Sequence, residues 1–266
     1  MQERSLGDIL NETFAIFGKG GRSFALIAIV VFAPANLITF LGPRTELQHY
    51  VTTGAIPGSA LFFYVLVALV TLVATTAVWS AASAAVGQQL VTGSIDVKEC
   101  FKRVSWRLYS LLLLSFTLTI GLAICVGGIV IVIPAIVAAG FLLFGSLAIP
   151  AALYEGRKYV SALRRSFQLV RSMWPRILGG MILITLVMLG TGLVISVPSL
   201  LLLSLDSGSL SLASMGIQYL VSLIANSAAV TISAVAVTLL YFDTRIRLEG
   251  FGLEKLSYEI NYSDKN

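Results

Sequence analysis

The chain has 266 residues, of which 57% are hydrophobic and only 12% are charged, and its mean hydropathy is +0.92. A soluble domain typically carries about 25% charged residues, so this composition excludes an ordinary soluble enzyme and indicates an integral membrane protein. The net charge of +5 would suggest nucleic acid as a partner of a soluble protein. Here the cations lie in short segments between apolar runs, so we expect a membrane surface as their partner and no nucleic acid.

The N-terminal segment SLGDILNETFAIF (5–17) has apolar residues on one side and acidic or amide residues on the other, which predicts an amphipathic helix in the membrane interface. Three glycines between 18 and 21 are expected to end it. A first transmembrane span follows over 23–42. Ala33-Pro34-Ala35 also resembles a signal-peptide cleavage site, but the apolar run continues past it, which favours a span bent at Pro34.

The middle of the chain contains a polar loop and three further predicted spans. The loop over 43–59 holds the only histidine, His49, and the second span covers 60–90. A second charged amphipathic segment lies at 92–107. The next run, 108–153, has no charge, and as one helix it would be about 69 Å long, twice the ~30 Å core of a bilayer. We therefore expect a turn near Gly127-Gly128 and Pro134, with spans over 108–130 and 133–153.

A third, strongly basic amphipathic segment, YEGRKYVSALRRSFQLVRSMWPR, covers 154–176. At helical spacing its aromatic and aliphatic residues share one side and its arginines the other, which predicts an interfacial helix. Two more spans follow, over 177–203 and 215–241. The chain then leaves the membrane as a polar tail at 258–266. The predicted fold is all-α: a single domain over 1–257 with six transmembrane helices arranged as three hairpins, each preceded by a cytoplasmic interfacial amphipathic helix.

The distribution of cations predicts the topology. With six spans, every lysine and arginine except Arg44 falls on one side of the membrane, out of 18 in total. Because cytoplasmic loops are enriched in these residues, we expect both termini in the cytoplasm.

A short pattern repeats in the three amphipathic segments: apolar, two residues, small, Phe, two residues, apolar. It aligns Thr13-Phe14 with Cys100-Phe101 and Ser166-Phe167. Any amphipathic helix has apolar residues at these spacings, but the small-Phe step is an additional coincidence. The pattern favours an internal structural repeat, in which the small residue allows close helix contact.

Charged residues of alternating sign leave the membrane at one depth, in the central basic segment and after the sixth span. We predict that they form a cytoplasmic collar of salt bridges that also binds lipid headgroups; independent surface charges are the alternative. The eight collar residues are Glu155, Arg164, Arg165, Arg171, Asp243, Arg245, Arg247 and Glu249.

Three stretches resemble the prokaryotic membrane-domain family named after the membrane portion of glycerophosphoryl diester phosphodiesterases. They are SLGDILNETFAIF (5–17), LYEGRKYVSALRRSFQLVRSMWPRILG (153–179) and LLYFDTRIRLEGFGLE (239–254). The resemblance implies six helices in the cytoplasmic (inner) membrane and, for most members, no assigned activity. Some relatives carry a soluble phosphodiesterase domain, for which this chain has no room, because a catalytic barrel needs about 200 or more residues.

No ionisable residue lies in the middle of a predicted span, and no nucleophile–base pair, phosphate-binding glycine loop or metal-ligand spacing is present. We therefore expect no catalytic site, cofactor or metal. Three functions remain open. The first is a lipid-interacting scaffold or partner-recruiting domain, bound to anionic headgroups and either a protein partner or further copies of itself. The second is a transporter of a lipid or amphipathic compound through a groove between hairpins. The third is an intramembrane enzyme.

Overall fold

The computed structural model describes residues 4–40, 58–127, 132–205, 212–250 and 252–262. These residues form eight helices: α1 (Leu6–Phe40), α2 (Gly58–Thr92), α3 (Val97–Gly127), α4 (Val132–Gly145), α5 (Ala148–Tyr154), α6 (Tyr159–Leu205), α7 (Leu212–Glu249) and α8 (Leu253–Tyr262). The described part of the chain contains no strand, so the prediction of an all-α fold is confirmed there.

Six helical segments are long and apolar enough to cross a membrane, as predicted: Leu6–Phe40, Leu61–Thr92, Val97–Ile124, Ile136–Tyr154, Tyr159–Ile195 and Gly216–Glu249. Their outer surfaces expose large apolar side chains such as Val30, Phe62 and Val194, the last of which is 75% exposed. Water-soluble proteins rarely expose extended apolar patches. The composition and the surface therefore both fit an integral membrane protein.

The glycines after the N-terminal amphipathic segment predicted a separate helix there. Instead, the segment continues into the first span as a single helix, α1. The start of α1 is fixed by a capping box, in which Asp8 N–H donates to Ser5 Oγ (3.1 Å) and Ser5 N–H donates to Asp8 Oδ2 (2.9 Å). This arrangement satisfies backbone donors that a helix start leaves free. A glycine inside a helix costs about 1 kcal/mol, and at Gly20 close packing against Ile95 and Gln89 offsets that cost.

The second and third amphipathic segments also run directly into spans, in α3 and α6. In α6 the two parts are separated by a kink at Met173, whose backbone (φ −137°, ψ 32°) is not helical. Pro175 accounts for the kink, since a proline inside a helix clashes with the carbonyl four residues earlier and removes a hydrogen bond. The fourth span is interrupted after Gly145 and resumes at Ala148. Pro150 accounts for this break, because its ring would clash with the carbonyl of Ser146 in a continuous helix.

Helix α7 is central in the bundle: it packs against α1, α2 and α6, and consecutive spans also contact each other. The core includes Phe24 and Ile27 on α1 and Tyr241 and Phe242 on α7. Small residues over 80–85 of α2 are fully buried, which permits close helix contact. The predicted turns near 43–59 and 128–134 lie largely outside the described residues, so the three-hairpin arrangement stays a prediction.

The C-terminal boundary differs from the prediction. The polar tail was expected from residue 258, but α8 continues to Tyr262. Leu256 on this helix is fully buried, so α8 packs against the membrane domain.

Candidate functional site

The charged residues at the end of α7 form two clusters with residues from other helices. We name them the Glu155 cluster (Glu155, Arg157, Arg165, Tyr241, Arg245, Glu249, Glu259) and the Asp243 cluster (Arg4, Glu12, Arg176, Asp243, Arg247). Together they join the N-terminal segment, the α5–α6 connection, α6, α7 and α8.

In the Glu155 cluster one carboxylate accepts from several donors. Glu155 Oε1 accepts from Arg165 Nε (2.8 Å) and from the Tyr241 hydroxyl (2.9 Å), and Oε2 accepts from Arg157 Nε (2.6 Å). Burial by itself would raise the pKa of this carboxyl, but the hydrogen bonds from Arg165 and Arg157 and the charge of Arg245 outweigh it, so the pKa is lowered. Glu155 is therefore an ionised acceptor near neutral pH.

Arg245 extends the Glu155 cluster to the C-terminal helix. Its guanidinium donates Nη1 and Nη2 to the two carboxylate oxygens of Glu259, both at 2.9 Å, and Nε lies 3.1 Å from Glu249 Oε2. Arg165 also pairs with Glu249. The two-pronged contact is the strongest geometry of an arginine–carboxylate pair, and it fixes α8 against α7.

In the Asp243 cluster a fully buried carboxylate is surrounded by donors. Asp243 Oδ2 accepts from Arg176 Nε (2.9 Å) and Arg247 Nε (3.0 Å), and Oδ1 accepts from the backbone N–H of Arg4 (2.9 Å). Arg176 and Arg247 also donate to the backbone carbonyl of Arg4. A buried charge is tolerated only when it is paired and hydrogen-bonded, and Asp243 meets that requirement by tying the chain's N-terminal segment to α6 and α7.

The structure brings six of the eight predicted collar residues into these clusters: Glu155, Arg165, Asp243, Arg245, Arg247 and Glu249. The other two, Arg164 and Arg171, are exposed on α6 and make no ion pair with any residue that the structure describes. The two groups therefore differ: the first holds helices together, and the second is exposed on the surface of α6.

Several members of the clusters were missed by sequence reasoning: Arg4, Glu12, Arg176, Tyr241 and Glu259. Arg4 and Arg176 are 172 positions apart and Arg4 and Asp243 are 239 apart, so no local pattern indicates that they meet. The one signal was indirect, since all these cations had been assigned to the same side of the membrane.

A neighbouring contact holds the α5–α6 connection in place. Arg107 Nη1 donates to the carbonyls of Ala152 (2.9 Å) and Leu153 (2.7 Å), which are among the acceptors that a helix end leaves free. Gly156 follows with φ +68°, a conformation that favours glycine. This turn directs Glu155 towards α7.

The Tyr154 hydroxyl joins α5 to the backbone of α2. It donates to the Ser83 carbonyl and accepts from Gly87 N–H at 3.0 Å. A Cβ atom at position 87 would lie 2.5 Å from that hydroxyl oxygen, so only glycine allows this approach.

The small residue of each repeat copy is fully buried: Thr13, Cys100 and Ser166. Ser166 fills the break between α4 and α5, because its hydroxyl donates to Phe144 O (2.6 Å) and accepts from Leu147 N–H (3.2 Å). On the central segment Ala162, Ser166 and Val170 are buried in the bundle, and Trp174, which belongs with Val170 to the side predicted to be apolar, is 52% exposed.

The described residues contain no group of three or more His, Cys, Asp or Glu side chains that could hold a metal ion. A small cleft between α1, α6 and α7 is lined by apolar residues alone, including Leu6, Leu183 and Leu240. Comparison with protein-family models, with curated proteins and with solved structures finds no match to the chain.

Proposed function

We propose that this chain is a cytoplasmic-membrane protein without catalytic activity, and that its charged end binds anionic lipid headgroups as a scaffold or partner-recruiting domain. In this proposal both termini face the cytoplasm, because cations are enriched on that side. The resemblance of three stretches to the glycerophosphoryl diester phosphodiesterase membrane domains is part of the same proposal.

One observation carries it: Arg164 and Arg171 are exposed and form no ion pair with any residue in the described part of the chain, whereas their neighbour Arg165 is held by Glu155 and Glu249. Residues seven apart lie on nearly the same side of a helix, so both free arginines face outward together. The exposed Trp174 lies three residues after Arg171, just beyond the kink at Met173, and so is close to it in the chain.

Aromatic side chains support a position at the headgroup level. Trp106 is 82% exposed and Tyr109 is also exposed on α3, and tryptophan and tyrosine are enriched where membranes meet water. The exposed guanidinium groups of Arg164 and Arg171 match the chemistry of an acidic phospholipid headgroup, in which a phosphate accepts hydrogen bonds from arginine.

The test measures the preference of this surface for anionic lipid. Trp79 and Trp106 are first replaced by Phe, so that Trp174 is the only tryptophan. Its fluorescence quenching is then compared in vesicles containing brominated phosphatidylglycerol or brominated phosphatidylcholine, and the ratio of the two gives the preference for the anionic lipid. Replacing Arg164 and Arg171 together by Gln removes two surface cations worth ~1 kcal/mol each, so the preference for phosphatidylglycerol should fall about 30-fold.

The matched control replaces Lys98 and Lys255 by Gln, which removes the same charge from exposed positions on other helices. It should leave the lipid preference at Trp174 within about twofold of the background, because screening limits the reach of a surface charge to ~8–10 Å. An unchanged preference in the double arginine variant, or an equal loss in the lysine control, would contradict headgroup binding at α6.

A further inference from the structure

Two carboxamide side chains of α7 lie on the outer surface of the helix bundle. Asn226 is exposed, Gln218 is partly exposed, and neither makes a side-chain hydrogen bond with any residue that the structure describes. Asn226 lies inside the span Gly216–Glu249. At ~1.5 Å per residue it is about 26 Å along the axis from Asp243, which places it near the far side of a ~30 Å hydrocarbon core that begins at Asp243, about 4 Å inside that edge.

These amides belong to a continuous strip of small and polar residues that differs from the rest of the outer surface of α7. At about 100° per residue the strip covers roughly a 100° arc. None of its members is fully buried, and we name it the amide seam: Gln218, Ser222, Ala225, Asn226 and Ala229. A separate exposed side of the same helix carries Ile217, Leu220 and Ile224, as expected for contact with lipid tails.

An exposed amide inside hydrocarbon requires a hydrogen-bond partner, since leaving it without one costs several kcal/mol. Lipid tails offer neither donor nor acceptor, and the described residues of this chain supply none. A carboxamide has both an N–H₂ donor and a C=O acceptor, so it is complementary to another copy of itself. A two-fold axis normal to the membrane brings the same residue of two chains to the same depth.

We propose that the amide seam of α7 is the interface of a homodimer, in which Asn226 of one copy exchanges hydrogen bonds with Asn226 of the other. Ala225 and Ala229 beside it let the two helices approach closely, as small residues do in membrane-helix pairs. The occupant of this surface is thus a second copy of the chain, and the interface is independent of the lipid surface on α6.

Cysteine cross-linking tests the geometry in the full chain, reconstituted in phosphatidylcholine vesicles after Cys100 and Cys125 are replaced by Ala. Ala229→Cys places a thiol on the seam and should give a disulfide-linked dimer with an oxidant. Ile224→Cys, on the other exposed side of the same helix, should remain monomeric. Equal cross-linking at both positions, or none at position 229, would overturn the proposal.

Energy transfer between copies carrying donor or acceptor at the C-terminus tests the role of the amide itself. Asn226→Leu should weaken association in vesicles about tenfold, the value for losing two interhelical hydrogen bonds of ~0.6–1 kcal/mol each. Ile224→Leu should leave association unchanged. Two outcomes would overturn the proposal: a wild-type chain that stays monomeric at high protein-to-lipid ratio, or an Asn226→Leu variant that associates as strongly as wild type. Either would show that the Asn226 amide contacts lipid or water and not a second copy.

Discussion

Replacing Asp243 by Asn is expected to be among the most damaging single changes at the charged end. The substitution keeps the shape of the side chain but removes its charge. Asp243 is fully buried, and it is the carboxylate that pairs with both Arg176 (2.8 Å) and Arg247 (3.0 Å). Without it, Arg176 and Arg247 both lose this buried anion, and the amide can accept fewer hydrogen bonds than the carboxylate.

The size of the effect follows from the burial of the pair. Removing one partner of a buried ion pair costs about 3–5 kcal/mol, because the remaining charge is left uncompensated. The side chains of Arg176 and Arg247 are about one-fifth exposed, at 21% and 22%, so water relieves part of that cost. We therefore expect Asp243→Asn to lower the free energy of unfolding by about 3 kcal/mol.

The assay is unfolding by sodium dodecyl sulfate in mixed micelles, followed by circular dichroism, for Asp243→Asn, Arg247→Gln and the double variant. Because Asp243 and Arg247 interact directly, the double variant should lose at least 1 kcal/mol less than the sum of the two single variants. Glu254→Gln, an exposed carboxylate on α8, serves as control. A loss below 1 kcal/mol for Asp243→Asn, together with additive effects, would refute the reasoning.

Three further changes test other contacts. Gly87→Ala should cost about 1–3 kcal/mol in the same assay, because the new methyl group would overlap the Tyr154 ring and hydroxyl. Ser166→Ala should cost about 1–3 kcal/mol, because it leaves the buried N–H of Leu147 without its acceptor. Since the pKa of Glu155 is lowered from 4.5, its ionised form stabilises the fold above about pH 4.5, and this contribution is lost as the pH falls through the folded-state pKa. The difference in melting temperature between wild type and Glu155→Gln should therefore narrow below pH 4.5.

The glycine and serine changes each have a matched control. Gly18→Ala, where nothing lies within 4 Å of the added Cβ, should not destabilise the protein. Ser172→Ala on the exposed side of α6 should change stability by less than about 0.5 kcal/mol. If either control lost as much stability as its partner variant, the loss could not be assigned to the named contact, because Ala has a higher helix propensity than Gly or Ser. A difference between wild type and Glu155→Gln that is constant from pH 3 to pH 7 would show that the charge of Glu155 does not stabilise the fold.

The number of apolar segments able to cross a membrane could be predicted from the sequence, because this property is local. An uncharged run of about twenty residues spans a bilayer wherever it occurs, and the run over 108–153 had to turn because of its length. The segregation of cations was likewise visible from their positions along the chain. Six such helices are present, at bounds that differ from the prediction mainly at the N-terminal ends of α1, α3 and α6.

Helix ends were less predictable, because local signals compete with packing. The glycines after Phe17 favour a helix end, yet α1 passes through them since neighbouring side chains from α2 and the following turn pack against Gly20. In the opposite direction, the fourth span is broken beside Pro150, and the hydroxyl of Ser166 supplies the hydrogen bonds that the break releases. That serine belongs to another helix, so the sequence around the break does not reveal it.

In the candidate site, too, local sequence predicted some features and tertiary packing decided the others. The sequence alone predicted that the lysines and arginines, with the exception of Arg44, accumulate at one end of the spans. It placed Arg164, Arg165 and Arg171 together, although only Arg165 forms ion pairs in the described structure. Tertiary structure decided which charges are paired and which are free. The physical reason is that an ion pair depends on the distance between two side chains in space, and folding brings Arg4 to Asp243 across 239 positions that no local pattern connects.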